Sequence, residues 1–326
     1  MAWVNSVKTW LLMPDPLLVI CPVTEAMKSR LGPHFVLHYL NDISDIDAWG
    51  REHPSARQIL TDGHYGVSAD VMAALPNLSM ISCYGVGYDN IDTAACNARG
   101  VVATHTPDVL NAEVATSAIM LLMACYRELL RDQHWAKTGL WAREGNAPLS
   151  RSLDNRTIGI LGMGRIGQEI ARKLAPWSPE ILYHTRSPKD VPFEHVPDLV
   201  DMARRVEAMI VITPGGAATR HLVNREVIDA LGAQGTLINV ARGSVVDEAA
   251  LIDALSDGRL GWAGLDVFED EPRIPARLCK MKNVVLTPHI GSATVECRAA
   301  MGNLAIDNLL QFQKDGTVKT PVPECQ

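Results

Sequence analysis

Long apolar runs are missing from this 326-residue chain. None approaches the roughly 20 residues needed to span a bilayer, so no transmembrane helix is expected. A basic surplus is missing as well: 30 Lys and Arg stand against 37 Asp and Glu, for a formal net charge of −7. That balance excludes the positive face on which nucleic acid or anionic lipid would settle. Cysteine is sparse. Cys21, Cys83, Cys96, Cys125, Cys279, Cys297 and Cys325 are scattered, odd in number and without CxxC spacing. They are expected to be reduced, mostly buried thiols and not a disulfide or zinc framework. The histidines, among them His34, His38 and His184, show no metal-ligand grouping, and no metal is assigned. The first residues carry one early lysine, Lys8, and their apolar stretch is cut by Pro14 and Pro16. No secretory leader is expected there, and the cytoplasm is the expected compartment. Internal repeats and low-complexity segments are also lacking.

What is present is a chain with 47% hydrophobic and 21% charged residues, ordinary for a globular enzyme with a large core. Its first third reads as short strands and helices in alternation. "LLVICPV" (17–23) and "GVVATHTP" (100–107) are apolar, β-rich runs closed by proline. Between them "LSMISCYGVGYDNID" (78–92) reads as a strand running into a glycine-containing loop. The breaker-poor stretch Val109–Leu130 is predicted to be one long packed helix. From Arg156 a regular βα alternation sets in. Strands are predicted at "TIGILG", "EILYHT", "AMIVIT", "GTLINV", "WAGLDVF" and "NVVLTPH". Helices are predicted at Arg165–Leu174, Arg225–Leu231, Glu248–Leu255 and Thr294–Asp315. Buried strands separated by helices imply a parallel, doubly wound sheet in an α/β protein. If the last helix returns to the N-terminal third, the first domain is discontinuous. It then comprises 1–106 plus 293–326, with a nucleotide domain, 107–292, inserted into it.

The glycine spacing in "TIGILGMGRIGQEIARKL" carries the first functional signal. A β-rich strand leads into Gly162, Gly164 and Gly167, and an amphipathic helix follows. In such a turn the first glycine permits the tight bend and the second lets backbone approach a pyrophosphate. The third lets the helix pack on the strand, whose neighbouring helix N-terminus faces the phosphates. The residues in between, Met163, Arg165 and Ile166, would line the same site. About 20 residues further on, a carboxylate would accept the adenosine ribose hydroxyls of NAD. Here "LYHTRSP" (Leu182–Pro188) has none. Thr185 stands at that place with Arg186 and Ser187 beside it, a set suited to a 2′-phosphate. NADP(H) is therefore the expected cofactor, with NAD(H) the weaker alternative.

Three later segments put polar groups at predicted strand ends, where open α/β sheets bind ligands. "INVARGSVVDE" supplies Arg242, "GLDVFEDEP" supplies Asp266, Glu269, Asp270 and Glu271, and "LTPHIGSAT" supplies His289. With GMGRIG, these motifs resemble, in order and spacing, the signatures of the D-2-hydroxyacid dehydrogenase family over essentially the whole chain. "HTRSP" paired with "TPGG" (Thr213–Gly216) is most similar to its NADPH-preferring glyoxylate/hydroxypyruvate and hydroxyphenylpyruvate reductases. The resemblance implies two doubly wound parallel-sheet domains, a Rossmann-type nucleotide domain inserted into a flavodoxin-like substrate domain, and a homodimer.

It also implies a division of labour. Hydride passes from nicotinamide to the carbonyl carbon of a small anionic 2-oxo acid, and His289 supplies the proton to the forming alkoxide. Glu271, chosen over Glu269 on family spacing, holds the other imidazole nitrogen. Arg242 binds the substrate carboxylate, with Val86 and Gly87 N–H groups from "YGVGYDN" and Ser292 as further substrate contacts. Thr213, Pro214, Val240, Ala241, Asp266 and Gly291 are implied on the cofactor side. The pattern departs from many relatives near Thr116 in "NAEVATSAIM", where an acidic residue is common, and neither Glu113 nor Thr116 is given a role. Trp135 and Trp141 lie where some relatives send an aromatic into the neighbouring subunit's pocket. Glyoxylate and hydroxypyruvate are the expected substrates, with phenylpyruvate or hydroxyphenylpyruvate the alternative. A dinucleotide-sensing protein like the C-terminal-binding-protein corepressors keeps the same three polar residues and is the reading from another class. Phosphite or formate oxidation would need other pocket residues, for which no motif stands out.

Overall fold

The structure, a computed structural model, describes residues 14–325. Most of the segment for which no leader is expected therefore lies outside the described residues. Those described divide into two compact units, one up to Pro107 together with Ala299 onward, the other Asp108–Arg298.

The first unit carries β1 (Asp15–Val19), β2 (Phe35–Tyr39), β3 (Gln58–Thr61), β4 (Met80–Cys83) and β5 (Val102–Thr104). They pair in parallel in the order β2-β1-β3-β4-β5. This is the flavodoxin-like variant of the doubly wound sheet. β3 and β4 are buried at every position, because parallel sheets are covered by crossover helices on both faces. Those helices are short, and four begin at a capping side chain: Thr24, Asp45, Ser68 and Asp92 each accept a backbone N–H. The strand expected from residue 17 starts two residues earlier and ends at Val19, before the Cys21-Pro22 turn.

The second unit carries β6 (Thr157–Leu161), β7 (Glu180–His184), β8 (Glu194–His195), β9 (Ala208–Val211), β10 (Thr236–Asn239), β11 (Trp262–Leu265) and β12 (Val284–Leu286). All pair in parallel, in the order β12-β11-β10-β9-β6-β7-β8. Read from β8, the order is the 3-2-1-4-5-6 of a Rossmann-type domain with one strand added. It reverses between β6 and β9, where such sheets open a ligand crevice. The helices Arg165–Leu174 and Arg225–Leu231 stand where periodicity put them, and that at Glu248–Ser256 runs one residue longer.

One expected element is corrected. Val109–Leu130 is not a single helix: one helix runs Asn111–Tyr126 and another starts at Leu129. Between them Glu128 takes a left-handed backbone, φ 44°, which interrupts the i→i−4 ladder. Its carboxylate is held by Arg131 at 2.6 Å. The first of these helices is deeply packed, with Leu121 and Leu122 fully buried. Gly264 in β11 makes room for it: a Cβ there would sit 3.0 Å from the Cβ of Leu121.

The cysteines are all free; Cys279 is exposed and the other six are buried. Burial pushes the Cys125 thiol up to about 12. Among the described residues no helix is long and apolar enough to cross a membrane, and no group of three or more His, Cys, Asp or Glu could hold a metal ion.

Candidate active site

Sterics explain two of the three glycines that follow β6. Gly162 has φ 109°, and a Cβ on it would meet the Ile212 carbonyl oxygen at 2.8 Å, so the turn lies directly against the chain leaving β9. A Cβ on Gly167 would sit 2.1 Å from the Gly162 carbonyl oxygen, so only glycine lets the helix close onto the turn. Gly164 differs. Nothing lies within 4 Å of its would-be Cβ, and as N-cap of helix Arg165–Leu174 it offers no side-chain acceptor. The first-turn N–H groups of that helix therefore have no side-chain cap, as at a helix N-terminus that receives an anion. These features fit a dinucleotide's pyrophosphate. Met163 is buried, Ile166 half-buried, and Arg165 exposed, where it pairs with Asp108 at 3.2 Å. Thr213 and Pro214 leave β9 beside this turn, and Val240 and Ala241, both buried, leave β10.

At the end of β7 the Thr185 hydroxyl donates to the Ser187 carbonyl at 2.7 Å. Arg186 is exposed and has no hydrogen-bond or ion-pair partner among the described residues.

The adjacent strands β10, β11 and β12 bring the remaining polar residues to one end of the sheet. Asp266 follows β11 and is 1% exposed. Its carboxylate accepts the Thr287 hydroxyl at 2.6 Å and the backbone N–H groups of Ile290 and Gly291, both at 2.8 Å. Its carbonyl accepts the His289 N–H at 2.8 Å. The Asp266 carboxylate thus shapes the loop after β12. In that loop His289 has φ 52°, a strained conformation for a non-glycine residue. Its Nδ1 lies 2.7 Å from Oε2 of Glu271, whose other oxygen accepts the Phe268 N–H at 3.0 Å. The imidazole is 44% exposed and the Glu271 side chain 18%, so one ring nitrogen is held while the ring stays open to solvent. Glu269 turns elsewhere. It pairs with His221 Nε2 at 2.5 Å, and His221 too has positive φ, 50°.

Arg242 follows β10, and its Nη1 donates to the Ala241 carbonyl at 2.8 Å. Asn239 secures this bend, accepting the Ala241 N–H and donating to the Arg242 carbonyl. The next residue must be glycine, since a Cβ on Gly243 would lie 1.9 Å from the Phe268 carbonyl carbon. The His221–Glu269 pair is the feature that sequence reading missed. The two residues are 48 positions apart and lie in no shared motif. Gly291 is buried and Ser292 half-buried.

Taken by itself, the loop after β4 in the first unit has its carbonyls secured. The Val86 carbonyl is held by His105 Nδ1 at 3.0 Å, and the Gly85 carbonyl by the Thr106 N–H at 2.8 Å. The N–H groups of Val86 and Gly87 meet no acceptor among the described residues.

Residues 119–291 match the family model described as D-isomer specific 2-hydroxyacid dehydrogenase, NAD binding domain. A glyoxylate/hydroxypyruvate reductase A of Arabidopsis thaliana is 39% identical over 307 residues, which are 94% of this chain and 98% of that protein. A hydroxyphenylpyruvate reductase of Plectranthus scutellarioides is 38% identical over 307 residues, with the same coverage of 94% and 98%. Among solved structures, an NADPH-dependent glyoxylate/hydroxypyruvate reductase of Sinorhizobium meliloti, in complex with NADP and malonate, superposes with a TM-score of 0.90. It is 42% identical, covering 96% of this chain and 98% of that one.

The glycine geometry sets an expectation for stability. Gly167→Ala should destabilise the fold by about 1–3 kcal/mol through overpacking, whereas Gly164→Ala should unfold in urea close to wild type. Equal midpoints for the two variants would contradict the steric account.

Proposed function

The chain belongs to the D-isomer specific 2-hydroxyacid dehydrogenase family, and from that premise we propose that it reduces small 2-oxo acids to D-2-hydroxy acids with NADPH, glyoxylate and hydroxypyruvate being its substrates. The observation that carries the reading is the imidazole of His289, fixed by Glu271 on a strand end next but one to that of Arg242. Reduced nicotinamide, when bound, supplies the hydride. His289 donates a proton from Nε2 to the carbonyl oxygen as it becomes an alkoxide. Nδ1 is engaged by Glu271, which fixes the ring's orientation and leaves Nε2 for substrate. The Arg242 guanidinium binds the substrate carboxylate and polarises the carbonyl. Within the first unit, taken by itself, the Val86 and Gly87 N–H groups that meet no acceptor among the described residues suit a carboxylate oxygen. The glycine turn and helix Arg165–Leu174 would hold the pyrophosphate. Thr185, Arg186 and Ser187 would hold the 2′-phosphate of NADPH, where NAD-binding relatives of the fold carry a carboxylate. The NADP in the Sinorhizobium meliloti structure supports the same choice.

Self-association and compartment belong to the same proposal. Met120, Met123, Leu129, Leu130 and Trp141 are exposed on consecutive helices of the second unit, an apolar surface that a second copy would cover. Free cysteines fit a reducing compartment, the cytoplasm.

Steady-state kcat/KM with glyoxylate, hydroxypyruvate and phenylpyruvate, each with NADPH and NADH, tests the reading. The smaller acids with NADPH should lead. A clear preference for phenylpyruvate would replace it with the aromatic reductase activity for which the Plectranthus relative is named. His289→Gln should lower kcat by at least roughly 100-fold and leave NADPH binding within twofold of wild type. A smaller drop would mean that another group donates the proton. Arg186→Ala should weaken NADPH by roughly 1.5–3 kcal/mol with little effect on NADH, and equal weakening of both would undo the cofactor assignment. Sedimentation equilibrium should give the mass of two chains; the mass of one would refute self-association.

A further inference from the structure

The two-residue strand β8, at the edge of the seven-stranded sheet, raises a question of purpose. Glu194 and His195 pair with Leu182 and Tyr183 of β7, and register places Tyr183 beside His195, with ring centroids 5.2 Å apart. Both side chains act on one short loop, residues 185–189. The Tyr183 hydroxyl accepts the Lys189 N–H at 2.8 Å and donates to the Lys189 carbonyl at 3.2 Å, closing the loop across its base. His195 Nε2 donates to the Thr185 carbonyl at 2.9 Å. The foot of the loop is tied further, since the His184 carbonyl accepts the Gly162 N–H at 3.0 Å from the glycine turn. Tyr183 is 1% exposed, so its hydroxyl has a fixed place. Within the loop the Thr185 hydroxyl donates to the Ser187 carbonyl, and Arg186 has no hydrogen-bond or ion-pair partner among the described residues.

We propose that Tyr183 and His195 are the positioning residues that set the choice of dinucleotide, by holding the backbone of residues 185–189 in the shape that receives a ribose 2′-phosphate. This rests on the NADPH reading above and adds residues that touch neither phosphate nor substrate. The physical reason is pre-organisation. A loop already ordered before the ligand arrives loses little conformational freedom on binding, so its hydroxyl and guanidinium contacts with the phosphate appear as affinity. A dinucleotide lacking the 2′-phosphate makes no use of these contacts and is indifferent to how firmly the loop is held.

The test is direct binding to the full chain, with NADPH and NADH titrated by nicotinamide fluorescence and 2′,5′-ADP used as competitor. Tyr183→Phe removes only the hydroxyl. It should raise the Kd of NADPH and of 2′,5′-ADP about fivefold, the equivalent of one neutral hydrogen bond, and leave NADH within twofold. His195→Leu should shift the same ratio, and His195→Gln, which keeps an N–H donor, should restore it. Unchanged NADH binding in each variant shows that the fold is intact. An NADPH-to-NADH ratio that stays at the wild-type value in both Tyr183→Phe and His195→Leu would overturn the proposal, as would equal weakening of the two cofactors. A wild-type chain without preference for NADPH would instead refute the cofactor reading, and the proposal with it.

Discussion

Asp266, closed off from water at the end of β11, holds the loop that presents His289. A buried carboxylate is costly unless its oxygens are satisfied. Here the Thr287 hydroxyl and two successive backbone N–H groups satisfy it. The converse matters more for chemistry. His289 sits at positive φ, a conformation that persists only where surroundings over-determine it. Three bonds to the Asp266 side chain and one to its carbonyl supply that determination. Released from them, the loop would relax, and the imidazole would lose its line to Glu271.

The acidic run after β11 divides its labour by burial. Asp266 shapes the loop after β12, Glu271 meets His289, and Glu269 meets His221. The His221 backbone N–H also donates to the Ser244 carbonyl at 2.8 Å, so one residue, through its backbone and its ring, links the loop after β9 to those after β10 and β11. Gly243 lets the Arg242 bend press against Phe268 without a side chain between. The loops that carry the polar groups are therefore cross-braced within one unit. Such bracing would serve the proposed general acid, since a misplacement of about 1 Å can cost a large factor in rate.

Much of this was legible in the sequence, for a definable reason. Strands buried on both faces and separated by helices leave a period that composition reveals. The helix Arg165–Leu174 begins directly after the second glycine of the motif and carries the third in its first turn, and Glu271, chosen on the family's spacing, is the carboxylate that meets His289. What was hidden is what tertiary contacts decide. Glu128 is not a residue type that announces a left-handed bend, so the two helices around it read as one. β8 is too short to carry a period. The enclosure of Asp266 and the pairing of His221 with Glu269 arise from chain segments 25 and 48 residues apart, meeting only in the folded sheet.

An acidic chain proposed to bind anions need not work against its own field. The numbers favour the local donors. At physiological ionic strength, charges beyond roughly 8 Å are screened, so the formal −7 spread over the surface weighs little against donors in contact with the ligand. The donors proposed in the second unit are largely uncharged: the first-turn N–H groups beyond Gly164. Two guanidiniums, Arg242 and Arg186, add charge where a carboxylate and a phosphate would need it. Recognition built from backbone dipoles depends on backbone shape, so under the proposed function the glycines after β6 and the buried Asp266 would weigh more than net charge does.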